Sequence, residues 1–388
     1  MPENESRSLS RRSLLGALTA GAGAAFVATS CAALPSAPAS ASPADIPPDP
    51  VALSGDVEGY RTRLLLLGTA AGPRHVAGRS GICSVVSVDG HNYLVDAGTG
   101  AVKRVAQAEI SVDKLSGIFI THNHSDHLAD LFNLFLLNNP GSALGQYVGP
   151  VPIFGPGPAG GLPAPFANRQ IPILDQADPA PGLKTLLEEQ MRAYRYDINI
   201  RNVEESPSAI DYTTLFDVRE VVIPADSGAS FIDTAPRMAP FPVFEDERVR
   251  VTATLVPHFP VFPSFGFRFD TADGSVTFSG DTGMSDNLIE LATGTDILVH
   301  EVIDVDYYAT TVKSPSLDAF MRASHTTGED VGRVATAAGA KKVVLSHIGP
   351  GDPRTISDDQ WAQRVATTYS GPIVVGNDLT QMGVGSRV

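Results

Sequence analysis

The chain has 388 residues, enough for one large domain or two, and 43% of them are hydrophobic, enough to bury a sizeable core. It sets 28 Lys and Arg against 43 Asp and Glu, a formal charge of −15 without any lysine- or arginine-rich run, so polyanions such as tRNA meet net repulsion unless a basic groove is built locally. Only two cysteines are present, Cys31 and Cys83, which excludes a disulfide-rich framework.

The N-terminus reads as a targeting segment. Ser10-Arg11-Arg12-Ser13-Leu14-Leu15, followed by an Ala/Gly-rich apolar run from Gly16 to Thr29, is a twin-arginine export pattern, and residues 1–41 are assigned to it. Ala39-Ser40-Ala41 fits a small-x-small cleavage site. Ala28-Thr29-Ser30-Cys31 weakly resembles a lipoprotein box, so membrane attachment is expected only if Cys31 is acylated. The apolar run is shorter than the ~20 residues a bilayer needs. The expected location is periplasmic, cell-wall or extracellular. Removing residues 1–41 takes away three arginines and two glutamates, which leaves a charge of about −16 and a mature chain with no internal disulfide.

Residues 42–58, rich in proline and acid, predict an exposed leader, and the catalytic body is expected over 59–388. Strands are predicted over 61–67, 82–88 and 92–96, the last two flanking the Asp89-Gly90 hairpin signal, with a short helix at 101–109. A buried strand at 115–120 and an apolar helix at 128–137 enclose Thr121-His122-Asn123-His124-Ser125-Asp126-His127. Three imidazoles and a carboxylate in six positions, on a strand-to-helix loop, form a metal-ligand density without purpose in an ordinary surface loop. Four donors this close can hardly all face one ion, so two adjacent metals are expected.

After a strand at 151–154 the pattern loosens, and an insertion is predicted over about 155–244. A helix at 183–194 and an irregular stretch at 196–211 lie within it. Such an insertion covers a site or, alternatively, serves dimerisation or decoration. Strands return at 248–256, 264–269, 275–278, 296–299 and 342–345, with helices at 285–292, 327–338 and 357–369. His258, Gly280-Asp281 and Ser346-His347 follow three of these strands. The predicted class is α/β (α+β), two sheets between helical layers.

Several short motifs follow one another along the chain: Leu67-Gly68-Thr69, Tyr93 to Gly98, Thr121 to His127, His258 ahead of Phe265-Gly266-Phe267, Ser279-Gly280-Asp281-Thr282, His300-Glu301, Ser324-His325-Thr326 and Leu345-Ser346-His347. In this set and order the chain resembles the metallo-β-lactamase superfamily, in the branch of ribonuclease Z and its exported arylsulfatase-like relatives. The resemblance implies a four-layer αββα sandwich of two mixed sheets. It implies one metal on His122, His124 and His258, a second on Asp126, His127 and His347, and Asp281 bridging both. Two zinc ions are the expected pair, with manganese or iron as substitutes. Asp126, Asp281 and His325 are the residues expected nearest the chemistry. His325 matches a family histidine that does not ligate metal but lies near the leaving group, the natural general acid. Glu301 is read either as orienting His325 or a ligand, or as a strand-end salt bridge. Cys83 is read as a core residue.

Hydrolysis by a hydroxide shared between the metals is the expected reaction. The expected substrate is a small-molecule aryl or alkyl sulfate ester or phosphodiester; a lactone or other carboxylic ester, or ribonuclease Z-type cleavage, is the alternative. Nucleic acid is disfavoured because the protein reads as exported. The segment after Phe154, where the resemblance places a tRNA-binding arm, also has no basic cluster. Phe259, Phe262, Phe265, Tyr194, Tyr196 and Phe231 suggest a ring-sized apolar pocket. A homodimer is compatible with the sequence. A flavodi-iron-type redox enzyme shares the implied fold but has glutamate where His124 stands, and an inactive receptor would be expected to have lost ligands.

Overall fold

The structure, a computed structural model, describes residues 51–111, 114–137, 150–165, 169–204 and 211–387. The expected export signal over 1–41, Cys31 and the leader up to residue 50 lie outside the described residues. The described end of the leader is docked: Ser54 N donates to the Leu379 carbonyl and the Ser54 carbonyl accepts from Gln381 N, each at 2.8 Å.

The alternation of side chains along extended backbone sets the layers. In β1 (Thr62–Gly68), Leu64 and Leu66 point into one core and Leu65 and Leu67 into another, all at most 3% exposed. A strand covered on both faces reads as a continuous apolar run. Each buried leucine contributes about 1.5–3 kcal/mol of transfer free energy. The first sheet continues with β2 (Cys83–Val88), β3 (His91–Val95), β4 (Leu115–Phe119), β5 (Val151–Gly155) and β6 (Phe216–Glu220). The second sheet holds β7 (Phe241–Glu245), β8 (Val249–Leu255), β9 (Phe265–Thr271), β10 (Ser275–Phe278), β11 (Ile297–Ile303), β12 (Val343–Gly349) and β13 (Ile373–Val375). The C-terminal β14 (Thr380–Gly383) returns to the first, giving seven-stranded orders β14-β1-β2-β3-β4-β5-β6 and β13-β12-β11-β10-β9-β8-β7. Both sheets mix parallel and antiparallel pairs, and an aromatic cluster of Tyr93, Phe119, Phe154, Phe244, Phe267 and Phe269 fills the space between them.

Helices α1 (Ala101–Gln107), α2 (Ser125–Leu128), α3 (Leu131–Leu136) and α4 (Leu183–Glu204) belong to the first half of the chain, and α1, α3 and α4 cover the outer face of the first sheet. Of the later helices α5 (Asp286–Leu291), α6 (Val305–Val312), α7 (Pro315–Ser324), α8 (Gly328–Ala338) and α9 (Asp358–Ala366), three (α5, α8 and α9) cover the second. The architecture is the four-layer αββα sandwich of two mixed sheets.

Several predicted elements change: the strands expected at 296–299 and 342–345 run on to Ile303 and Gly349, so His300, Glu301, Ser346 and His347 lie inside strands rather than after them. The helix expected at 128–137 is split into α2 and α3 because Asp130 leaves the helical run to accept from Gly100 N at 2.8 Å. The helix expected at 183–194 with an irregular stretch after it is one 22-residue helix, α4. It contains neither proline nor glycine, and its buried face rests on Leu183, Leu187 and Ile198, too sparse a stripe to read as a period. The loose pattern over 155–244 also hides β6 and β7, one edge strand for each sheet, both only partly buried and so lacking strict alternation. Between 303 and 325 the chain forms α6 and α7, which the sequence reading left unassigned.

Candidate metal centre

The site lies where the carboxyl ends of strands from both sheets meet. The loop after β4 carries His122 and His124, and α2 carries Asp126 and His127. His258 follows β8 and Asp281 follows β10, on a turn where Gly280 has φ 61°. His347 is placed by a bulge. Glu301 pairs with Ser346 and Val302 with Ile348, which leaves His347 unpaired in β12 with a left-handed φ of 44°. A bulge of this kind re-aims one side chain out of a ladder at a cost of about 1–3 kcal/mol in backbone strain.

These distant segments converge on two groups. His122, His124, His258 and Asp281 form one, and Asp126, His127 and His347 the other; within each, one donor atom per residue lies within 4.8 Å of the rest. His258 Nε2 is 3.3 Å from His124 Nδ1. His347 Nε2 is 3.4 Å from Asp126 Oδ2. Asp281 stands between the groups: Oδ1 is 3.4 Å from His127 Nε2, and Oδ2 is 3.9 Å from both His122 Nε2 and His258 Nε2 and 3.4 Å from His347 Nε2.

A shell of donors and acceptors orients the imidazoles. Asp96, itself at φ 58°, places Oδ2 2.8 Å from His127 Nδ1 and accepts from Thr121 N at 2.8 Å. His258 Nδ1 faces the Ser324 carbonyl at 3.0 Å, and His325 Nδ1 faces Glu301 Oε2 at 2.8 Å. Asp126 Oδ2 accepts from Gly72 N at 3.1 Å; a Cβ at position 72 would stand 2.2 Å from that of Asp126, so only glycine fits.

The electrostatics of the two groups differ. Burial pushes His122 well below the ordinary imidazole range, lowers His124, and brings His258 to about 4, so the imidazoles of this group are neutral with free lone pairs. Burial opposes charge at His127 and His347 as well, but carboxylates outweigh it. His127 is held well above its usual value by Asp281 and Asp96, and His347 is raised to about 10 by Asp281, Asp126 and Glu301. His325 is raised too, with the Glu301 ion pair overcoming burial.

The donor set fits metal. His122 Nε2, His127 Nε2 and Asp281 Oδ1 are buried polar atoms without a hydrogen-bond partner among the described residues, an unfavourable state that a cation relieves. All are nitrogen or oxygen donors of the kind zinc and its neighbours accept.

All eight predicted site residues come together here, and Glu301 contacts His325 rather than a strand-end cation. Asp96 lies within the Tyr93 to Gly98 motif, and nothing in its spacing marks it as a partner of His127. Arg74, His75, Tyr307 and Tyr308, which with His124, Asp126, Asp281, His325 and His347 line a cavity of about 660 Å³, were not singled out. The six aromatic residues expected to form one pocket separate. Phe265 lies in the inter-sheet core, Tyr194 stacks on Phe132 at 5.6 Å, Tyr196 is exposed, and Phe231 lies against Gly161. Phe259 and Phe262 alone of the six line a cavity beside the site.

Comparison with known proteins agrees with this geometry. The sequence pattern of the Metallo-beta-lactamase superfamily matches residues 76–167, and that of the Beta-lactamase superfamily domain matches residues 175–348. Ribonuclease Z of Mycobacterium bovis is 29% identical over 330 residues, 84% of this chain and 99% of the relative. That of Mycobacterium avium is 28% identical over 319 residues, 82% and 97%. Among solved structures, the short form of human tRNase Z aligns with a TM-score of 0.56 at 20% identity, covering 84% of this chain and all of that one. A metallo-β-lactamase-fold protein of Bacillus subtilis aligns at 0.53 and 17%, covering 83% and 98%. The chain therefore belongs to the metallo-β-lactamase superfamily, on its ribonuclease Z-like side, and is a metal-dependent hydrolase acting on ester bonds.

Proposed function

We propose that the protein is a two-metal phosphodiester hydrolase. In this reading His122, His124 and His258 hold one cation, Asp126, His127 and His347 the other, and Asp281 serves both. Zinc suits these donors, and manganese or iron is accommodated by the same atoms. The observation that carries the reading is Asp281, a single buried carboxylate facing imidazoles of both groups at 3.4–3.9 Å. Two cations so placed would supply Lewis acidity and a water acidified towards neutral pH.

The chain's own residues supply the rest. His325, whose pKa the Glu301 carboxylate raises against burial, stands on the cavity wall as proton donor to the departing oxygen. Arg74 lines the same cavity and gives it a cationic side for an anionic ester, while Arg354 there is paired with Asp352 at 2.6 Å. That side favours a phosphodiester or sulfate over a lactone. The phosphodiester is preferred to the sulfate because the relatives are ribonucleases, and the RNA linkage is a phosphodiester.

Ribonuclease Z-type cleavage of RNA is the second reading, favoured by a match that spans nearly the whole length of those relatives. Helix α4 in the insertion carries four basic and four acidic side chains, which offers RNA no net positive platform. Export by the twin-arginine route is also part of the proposal, resting on Arg11-Arg12 and on Ala39-Ser40-Ala41. A mature N-terminus at Ser42 in the secreted fraction checks it.

The test measures metal per chain in the purified protein and compares turnover of an aryl phosphodiester, an aryl sulfate, a lactone and a precursor tRNA. Two metals per chain and preference for a phosphodiester are expected. One metal per chain, or faster turnover of the sulfate or lactone, overturns the reading.

A further inference from the structure

The metal-centre cavity has an apolar neighbour. A second cavity of about 830 Å³ shares Leu317 and Phe320 with it. Three segments build its walls: the insertion at residues 159–165, 171 and 179–181, the loop 259–262 directly after His258, and α7 directly before His325. The Phe320 ring stands between, 5.9 Å from His258 and 5.6 Å from His325. The chamber is thus continuous with the residues that surround the reacting ester.

Its chemistry is one-sided. No charged side chain among the described residues lines it, whereas the adjoining cavity has Arg74, Asp126, Asp352 and Arg354. Leu162, Ile171 and Phe259 are 44%, 52% and 42% exposed, so large apolar surface is left uncovered in a concavity of ligand size. Five prolines in the wall restrict its backbone, and the Ser324 hydroxyl fixes the floor by donating to the Phe259 carbonyl. The polar feature nearest the metal ligands is Asn123, between His122 and His124, whose Oδ1 is buried without a hydrogen-bond partner among the described residues and can accept from a substrate group passing from one cavity to the other.

We propose that this chamber binds an uncharged alkyl or aryl arm of the substrate, so that the preferred substrate is a phosphodiester with one hydrophobic substituent. The proposal rests on the phosphodiester reading. It makes α7 and the proline-rich insertion the determinants of specificity, with the metal centre supplying the reaction. Each methylene transferred from water into such a chamber strengthens binding by about threefold to fourfold.

The test uses the metal-loaded full chain and alkyl 4-nitrophenyl phosphates with ethyl, butyl and hexyl arms, which keep the leaving group constant. It is paired with direct calorimetric binding of methylphosphonate and hexylphosphonate. Hexyl over ethyl should gain at least about tenfold in kcat/KM. The hexyl-to-ethyl ratio should fall towards one in Ala164→Trp, which fills the chamber, and in Leu162→Asp, which charges its rim. Cleavage of all three esters at equal efficiency overturns the apolar arm and leaves the phosphodiester reading standing. If no ester is cleaved but hexylphosphonate still binds more tightly than methylphosphonate, and Ala164→Trp removes the difference, the phosphodiester reading fails and the apolar site stands. Equal binding of the two phosphonates without cleavage removes both. A change of oligomeric mass in Ala164→Trp with an unaltered chain-length ratio assigns the chamber to a second copy of this chain and overturns the proposal.

Discussion

Glu301 Oε2 lies 2.8 Å from His325 Nδ1, and the two side chains are only 1% and 7% exposed. The pair joins a residue inside β11 to the end of α7, and Glu301 Oε1 also accepts from Thr282 N at 2.6 Å. Glu301→Gln keeps an oxygen for Thr282 and removes the charge that sustains the imidazolium. Burial then draws the His325 pKa down. Because the proton donor is active in its charged form, the alkaline limb of the kcat profile should move to lower pH. An unmoved limb contradicts the pairing. In His325→Ala, esters with poor leaving groups should slow by about 10²–10⁴, and those with good leaving groups much less. Equal losses across a leaving-group series would exclude the acid role.

Metal loading should release protons from one half of the site. With the cations removed, His127 and His347 are held above their ordinary pKa, His347 at about 10, while His122 and His258 are held below theirs. At pH 7 the first two carry protons that a cation must displace and the others do not. Apparent affinity for the second cation should therefore rise with pH from neutrality towards about 10, and affinity for the first should change little over the same range. Calorimetric titration of the metal-free protein in buffers of different ionisation enthalpy reads the protons released per metal. Zero release at both steps refutes the assignment of protons to His127 and His347.

Asp96 should govern one metal without touching either. Its Oδ2 is 2.8 Å from His127 Nδ1, and it is 2% exposed, so it fixes the ring that presents Nε2 to the second group. Asp96→Asn should weaken one of the two cations by about 10- to 100-fold and leave the other bound. Competition against a chelator separates the two events. A uniform loss of both metals would make Asp96 a determinant of folding instead.

The parts of the site legible in the sequence are those where chemistry is local. His122 to His127 crowd four donors onto one loop, and apolar runs on either side announce strand and helix. The ordered motifs around His258, Asp281 and His347 added the remaining donors, but no spacing rule brings residues 126 and 347 together; β4 and β12 belong to different sheets and meet only in the fold. The bulge that turns His347 inward depends on pairing with β11, which a single strand does not reveal. Asp96 and Arg74 escaped for the same reason, since their significance is a contact rather than a pattern. Edge strands β6 and β7 and helix α4 were missed or cut short because half-exposed elements carry weak periodicity.

Burial should separate two aspartates that look alike in sequence. Asp378 accepts from Arg104 Nη2 at 2.8 Å, Thr69 Oγ1 at 2.9 Å and Ser80 N at 2.6 Å, which ties the loop after β1 to the segment before β14. Its side chain and that of Arg104 are 0% and 2% exposed, so Asp378→Ala strands a guanidinium in the interior and should cost about 3–5 kcal/mol. Asp273 pairs with Arg61, which is 39% exposed and screened by solvent, and Asp273→Ala should cost about 1 kcal/mol or less. The hydrogen bond from Arg61 holds the Asp273 carboxyl below its ordinary pKa. Its contribution is therefore present above the unfolded-state pKa and disappears as pH falls through the folded one, so the Asp273→Ala deficit should vanish in acid. Denaturant unfolding of both variants at neutral and acid pH checks the pair. Equal costs at neutral pH would show that the buried network around Asp378 does not hold these loops together.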